Sequence, residues 1–247
     1  MITELKNNLK TIYEELNNKL IPENIKTDVK ILGVTGAMET GVMSQEDYDT
    51  CEQIADEILS GSFPYNYTEY IEFTGLQYTT LPYYFTNNMS YEITLQDLGS
   101  PTWAVLLGDG AQSLQLQYEN NSLLYVNRGG GAENGDWIRS DLDMSAINTF
   151  KQDLANFYVN GDLRLTLGEG ITFTSTSKIH IGVVEPTNST YAKMKLFGFK
   201  LWDNNELICD LVPVRRLTDN IAGLYDKVNN IFYTSLTTTS FVSGGDL

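Results

Sequence analysis

Lys193-Met-Lys-Leu-Phe-Gly-Phe-Lys-Leu-Trp202, Glu206-Leu-Ile-Cys-Asp-Leu-Val-Pro-Val214 and Gly223-Leu-Tyr-Asp-Lys-Val-Asn-Asn-Ile-Phe-Tyr233 decide the fold class. From Met194 to Trp202 apolar and polar residues alternate, the period-2 pattern of a half-buried strand. Asp203-Asn204-Asn205 reads as a turn, because Asp and Asn tolerate left-handed backbone and cap their own chain. A partner strand follows at once and is expected to stop at Pro213. Asn229-Asn230 then separates two short runs rich in Tyr, Phe and Val. The pattern is that of a hairpin-built sheet.

Upstream the same period continues. Strands are expected at 70–73, 91–96, 104–107, 113–118, 122–126, 156–159, 162–167 and 178–184. Asn160-Gly161 is the strongest hairpin signal, since a type I′ turn needs positive φ at both central residues. Many short strands with frequent turns predict a mainly β, two-sheet antiparallel sandwich.

The first 62 residues differ. Ile2, Leu5, Leu9, Ile12 and Leu16 recur at spacings of 3 and 4, an a/d seam that predicts a coiled-coil oligomerisation stem over 1–21. So short a helix is unstable alone, so self-association or attached domains must support it. A neck is expected over 22–62. It has a short strand from Val29 to Val34, and a helix opened by the capping arrangement of Ser44 and Asp47 and ended by Gly61. The head then occupies 63–247.

The chain of 247 residues carries a formal charge of −16. Between Ile31 and Asn127 there is no Lys, Arg or His, against 13 acidic residues. Phosphate backbones are bound by Lys and Arg, so nucleic acid is not an expected partner. No run of 18 apolar residues occurs, so membrane insertion through a helix is not expected. The N-terminus lacks the sections of a secretory signal, which predicts synthesis in a cytoplasm and reduced thiols at Cys51 and Cys209.

Catalytic signatures are weak. The single histidine, His180, sits in an alternating run and reads as an ordinary strand residue. There is no zinc constellation and no nucleophile–His–Asp set. Asp141-Leu-Asp143 is a fragment of the paired-carboxylate strand that a sandwich glycosidase needs. No catalytic residue is assigned. The binding candidate is the glycine-rich run 129–135, read as a long loop with Arg128 and Arg139 at its shoulders and Trp137 near its exit. Sugars are held by aromatic faces and planar polar side chains. Tyr125, Asn127, Asn134, Asp136, Trp137 and Arg139 supply both, with Trp103 as a second stacking surface or core.

Three motifs carry a resemblance. Gly198-Phe-x-Leu-Trp-Asp203 with its sequel to Tyr233 looks like the C-terminal end of laminin-G-like, concanavalin-type jelly-roll domains of bacteriophage tail and fibre proteins. Glu69-Tyr-Ile-Glu-Phe-Thr-Gly75 resembles their opening strand, and Phe157-Tyr-Val-Asn-Gly-Asp-Leu163 their central hairpin. In the neck, the run from Pro22 to Gly36 resembles a segment recurrent in phage tail and baseplate proteins. The resemblance implies a virion protein, made in the host cytoplasm. Its lectin-like head would bind bacterial surface polysaccharide without catalysis, and its stem would join a homotrimer to other virion proteins. It also allows calcium, with Asp109 in the loop Gly108-Asp-Gly110 as a ligand. The alternatives are a purely structural virion role and, third, a polysaccharide depolymerase.

Overall fold

The computed structural model describes residues 64–247 except 112, 121–122, 130–134, 140–141, 168–171 and 185–189, together with 30–31 and 34–35. The chain divides into two units, Met1–Pro64 and Tyr65–Leu247. In the first, β1 (Lys30–Ile31) and β2 (Val34–Thr35) pair antiparallel, Lys30 with Thr35 and Ile31 with Val34. The single strand expected from Val29 to Val34 is therefore a reversed pair. The expected stem, with Ile2, Leu5, Leu9, Ile12 and Leu16, and the acidic helix lie outside the described residues.

The second unit is built from strands β3 (Tyr65–Tyr67), β4 (Ile71–Thr74), β5 (Thr79–Thr86), β6 (Met89–Asp97), β7 (Val105–Asp109) and β8 (Leu114–Asn120). There follow β9 (Leu123–Arg128), β10 (Gly135–Arg139), β11 (Asn148–Asp153), β12 (Asn156–Val159), β13 (Asp162–Thr166) and β14 (Thr174–Ile181). The chain closes with β15 (Lys193–Asp203), β16 (Glu206–Arg216), β17 (Ala222–Asp226), β18 (Ile231–Tyr233) and β19 (Val242–Ser243). The smaller sheet has the order β10-β9-β8-β7-β14-β5. The larger runs β13-β12-β11-β6-β15-β16-β17-β18, with β3 added to β16 and β4 held between β15 and β19. The two antiparallel sheets form the expected sandwich. Among the described residues, no helix is long and apolar enough to cross a membrane.

Alternation decides which face each strand buries. In β6, Tyr91, Ile93 and Leu95 point inward and are fully buried, as are Leu196 and Leu201 of β15. From the smaller sheet Leu114, Leu116, Leu124, Val126, Ile179 and Ile181 meet them in one continuous core. Each such side chain contributes about 1.5–3 kcal/mol by leaving water. Cys209 is a free thiol within this core. Burial, and then the Asp226 carboxylate beside it, pushes its pKa up.

The turns follow their residues. Asn160 (φ 53°) and Gly161 (φ 89°) both adopt the left-handed conformation expected of the hairpin, and so do Asn204 (48°) and Asn205 (67°). Pro213 does not end its strand. β16 continues to Arg216, and the Pro213 carbonyl accepts the Thr68 N–H at 3.1 Å. Backbone N–H and C=O of one strand residue point the same way, so the missing donor falls at the junction where β15 gives way to β3 and no partner is lost.

The C-terminal residues form a strap over the start of the unit. Val242 and Ser243 pair with Glu72 and Ile71. Gly244 N–H donates to Tyr70 O, Glu69 N–H to Gly245 O, and Leu247 N–H to Tyr67 O, at 2.9–3.0 Å. Phe241 is buried against Phe73, ring centroids 4.7 Å apart.

Candidate functional site

The outward positions of the smaller sheet form a continuous row. Thr80 lies opposite His180, His180 opposite Gly108, Gly108 opposite Gln115, Gln115 opposite Asn127, and Asn127 opposite Gly135. Beside it runs a second row, Val105–Gln117–Tyr125–Trp137. The polar side chains in these rows are the amides of Gln115, Gln117 and Asn127, the hydroxyls of Thr80 and Tyr125, and the His180 imidazole; the amides and the imidazole are buried. The Gln115 amide donates to the Gln117 carbonyl oxygen, and Thr80 Oγ1 lies 2.8 Å from His180 Nδ1.

The outer face of the larger sheet is different. Lys151 lies opposite Glu92, Glu92 opposite Lys200, and Lys200 opposite Asp210. Asp210 in turn faces Lys227, Nζ to carboxylate 3.5 Å. That is an alternating charge ladder, the ordinary device of a solvated face.

Three aromatic residues gather at the β9–β10 end of the smaller sheet. Tyr125 and Trp137 are direct cross-strand partners with ring centroids 4.8 Å apart, and Trp103 meets Trp137 edge-on at 6.1 Å. Gly135 makes this possible, since a Cβ there would fall 2.0 Å from the Tyr125 hydroxyl. The tyrosine ring therefore lies across bare backbone. Trp103 stands in a turn in which Ala104 N–H donates to Pro101 O, and its φ is 71°. That turn position ordinarily takes Gly. Its side chain is nonetheless 55% exposed. A strained, exposed tryptophan is not explained by core packing.

The six predicted binding residues thus separate. Tyr125 and Trp137 come together. Asp136 is exposed, and its carboxylate accepts its neighbour's Trp137 N–H at 2.7 Å. Asn127 shares the face with Tyr125 but is buried. Arg139 falls on β10, its side chain not described, and Asn134 lies outside the described residues. Trp137 is mid-strand, not near the exit of a loop, because β10 already begins at Gly135. Arg128 faces inward, 5.3 Å above the Phe173 ring, with Nη2 donating to Asn87 O at 2.6 Å; burial lowers its pKa.

Gly108 and Asp109 lie within β7, not in a loop. Asp109 is fully buried, and Oδ1 accepts the Ser113 and Leu114 N–H groups at 2.7 and 3.3 Å. It braces the β7–β8 turn. Calcium takes six to eight oxygens, and no cluster of three metal-ligating side chains occurs among the described residues. The surroundings of Asp109 do not fit that ion. Asp143 is exposed and caps its own turn by accepting Ser145 Oγ and N–H, which lower its pKa.

At the opposite edge of the same sheet an open cleft of about 520 Å³ lies beside β5. Tyr78, Thr80, Pro82, Lys178 and His180 line one side, with Ile231, Tyr233 and Leu236 across from them. No local pattern in the sequence marks this cleft. β5 contains Pro82, which reads as a breaker, and the residues opposite come from the far end of the chain.

No protein-family description matches the sequence, and no curated protein matches it. Among solved structures the chain is similar to a Bacteroides ovatus protein described as a candidate carbohydrate binding protein, at 13% identity and a TM-score of 0.50. That likeness covers 72% of this chain and 60% of the other, so the chain spans less than two thirds of that protein. What is shared is the fold. Weaker similarity extends to the CBM40 of the Ruminococcus gnavus IT-sialidase bound to α2,3-sialyllactose, at 17% identity and a TM-score of 0.36, over 54% of this chain and 78% of that one. It also reaches Trypanosoma rangeli sialidase in complex with sialic acid, at 13% identity and 0.38, over 83% and 37%.

Proposed function

We propose that the Tyr65–Leu247 unit is a non-catalytic glycan-binding domain that uses the outer face of its smaller sheet. The observation that carries this reading is the cluster of Trp103, Trp137 and Tyr125, in which an exposed indole occupies a backbone position suited to glycine. Aromatic faces stack on the C–H surfaces of sugars; Gln117 beside them is buried with its carbonyl oxygen taken by the Gln115 amide, so the stacking faces carry the reading. Strain concentrates at ligand sites because the surrounding fold can hold it there. Glycoside hydrolysis needs two carboxyl groups facing each other across the sugar, and the two rows contain none.

The sandwich fold shared with the Bacteroides ovatus protein is compatible with this reading. The sequence resemblance adds its biological setting: a phage virion protein, oligomeric through its stem, with bacterial surface polysaccharide as its ligand. Binding of the full-length protein to an array of such polysaccharides, with calcium and with chelator, tests it. A specific hit that Trp137→Ala weakens at least about tenfold, or about 1.4 kcal/mol, is expected. Silence across a broad array would favour the purely structural virion role.

A further inference from the structure

The β5-edge cleft is chemically unlike the rest of the chain. Acidic residues outnumber basic ones 32 to 16, yet none lines the cleft, whereas Lys178 and the single histidine both do. Lys178 is exposed and makes no ion pair among the described residues. Its neighbours on the cleft wall are the Tyr78 ring, edge-on to His180 at 6.3 Å, and the Thr80 hydroxyl bonded to the imidazole. Tyr233 and Leu236 supply an apolar wall opposite. A cation, a hydroxyl and aromatic faces in an acid-free cleft match a pyranose that carries a carboxylate. The chain as a whole, at −16, would repel that charge.

We propose that this cleft is a subsite for a carboxylated sugar residue, with Lys178 as the group that reads the carboxylate. The proposal rests on the glycan-binding reading and names its ligand class. Lys178 and His180 lie on β14, and Trp137 on β10, four strands away in the sheet order. At the usual strand spacing that is about 19 Å. A single glycan reaching both ends spans several sugar residues, so the ligand is an acidic polysaccharide and not a terminal monosaccharide.

The test uses the full-length protein with selectively labelled histidine and tryptophan. Because His180 is the single histidine, its ring gives one NMR signal that needs no assignment. Glucuronate and glucose are titrated separately at matched pH and ionic strength. The His180 signal should move saturably with glucuronate and not with glucose. Lys178→Gln should weaken that response at least about tenfold, and Lys178→Arg should restore it. A His180 signal that ignores glucuronate, that responds equally to both sugars, or that is unchanged by Lys178→Gln overturns the proposal. The indole N–H signals of Trp103 and Trp137 report the other end of the sheet. Their movement without that of His180 removes the cleft and leaves the glycan-binding reading standing. Movement of His180 alone under glucuronate supports the cleft, and the aromatic end is then judged by the polysaccharide array with Trp137→Ala.

Discussion

Trp103 holds a φ of 71°, and for a bulky side chain that conformation costs about 1–3 kcal/mol. Replacing it by glycine removes the strain but forfeits the edge-on contact with Trp137, about 0.5–1.5 kcal/mol. It also adds backbone entropy to the unfolded chain, about 0.5–1 kcal/mol. The terms nearly cancel. Trp103→Gly should therefore leave urea-unfolding stability within about 1 kcal/mol of the parent while weakening glycan binding markedly. Equal stability with undiminished binding would mean that the indole serves no ligand. Gly135 makes the complementary case. The methyl group of Gly135→Ala would collide with the Tyr125 hydroxyl and with the ring carbons next to it, so the ring must swing aside. Little stability should be lost in thermal unfolding, but the tyrosine face should leave its place over the strand and binding should fall with it.

Two strand ends set the pH behaviour. Asp97 closes β6 and accepts the Gly99 and Ser100 N–H groups at 2.9–3.2 Å, while Asp109 closes β7 in the same manner. Burial raises both pKa values above 3.8, in spite of those hydrogen bonds, which act the other way. A carboxyl whose folded pKa lies above its unfolded value binds protons more readily in the folded state. Its contribution therefore favours folding at low pH and is lost as pH rises through the raised value. Exposed Asp143 and Asp219 have lowered pKa values and act in the opposite sense, favouring the fold above 3.8 and failing as pH falls through their folded values. Acidification also relieves the repulsion of 16 net negative charges. The thermal midpoint should thus rise as pH falls from neutrality toward the window just above 3.8, and Asp97→Asn should shrink that rise. A midpoint that falls steadily over this range would contradict the assignment. Elements also show what the sequence could and could not disclose. β12 was legible residue for residue, because its aromatic alternation ends at the Asn160-Gly161 turn. β5 was hidden by Pro82, which is tolerated because the strand lies at the edge of its sheet. β11 was hidden because Gln152, a polar residue, occupies a fully buried inward position. β10 was hidden inside the glycine-rich run. For the candidate site, residue types pointed to Tyr125 and Trp137, but their pairing is a matter of cross-strand register, which spacing along the chain does not carry. The Lys178 cleft joins residues far apart in sequence, Tyr78 with Lys178 and with Tyr233.

At the scale of the molecule the two outer faces differ: a charge ladder runs along the larger sheet, whereas the smaller sheet, the face proposed for the ligand, carries an aromatic cluster at one edge and Lys178 near the other. Weak single sites of this kind gain about 10²–10⁴ in avidity when several are joined. The full-length chain should therefore sediment as an oligomer, with a trimer expected, and Leu9→Asp in the proposed stem should yield monomers that bind immobilised polysaccharide far more weakly. A monomeric parent would remove this part of the account. The C-terminal strap has a mechanical consequence. The segment that joins the head to everything before it, Tyr65–Thr74, is pinned on one side by β16 and β15 and on the other by residues 242–247. All these strands run alongside it. Tension between an anchored ligand and the preceding chain would load those hydrogen bonds in shear, together, instead of peeling them apart one at a time. Force spectroscopy should find that deleting residues 242–247 lowers the rupture force of the head. The chain thus enters the domain along a seam stitched on both sides, where an attachment under tension would need it.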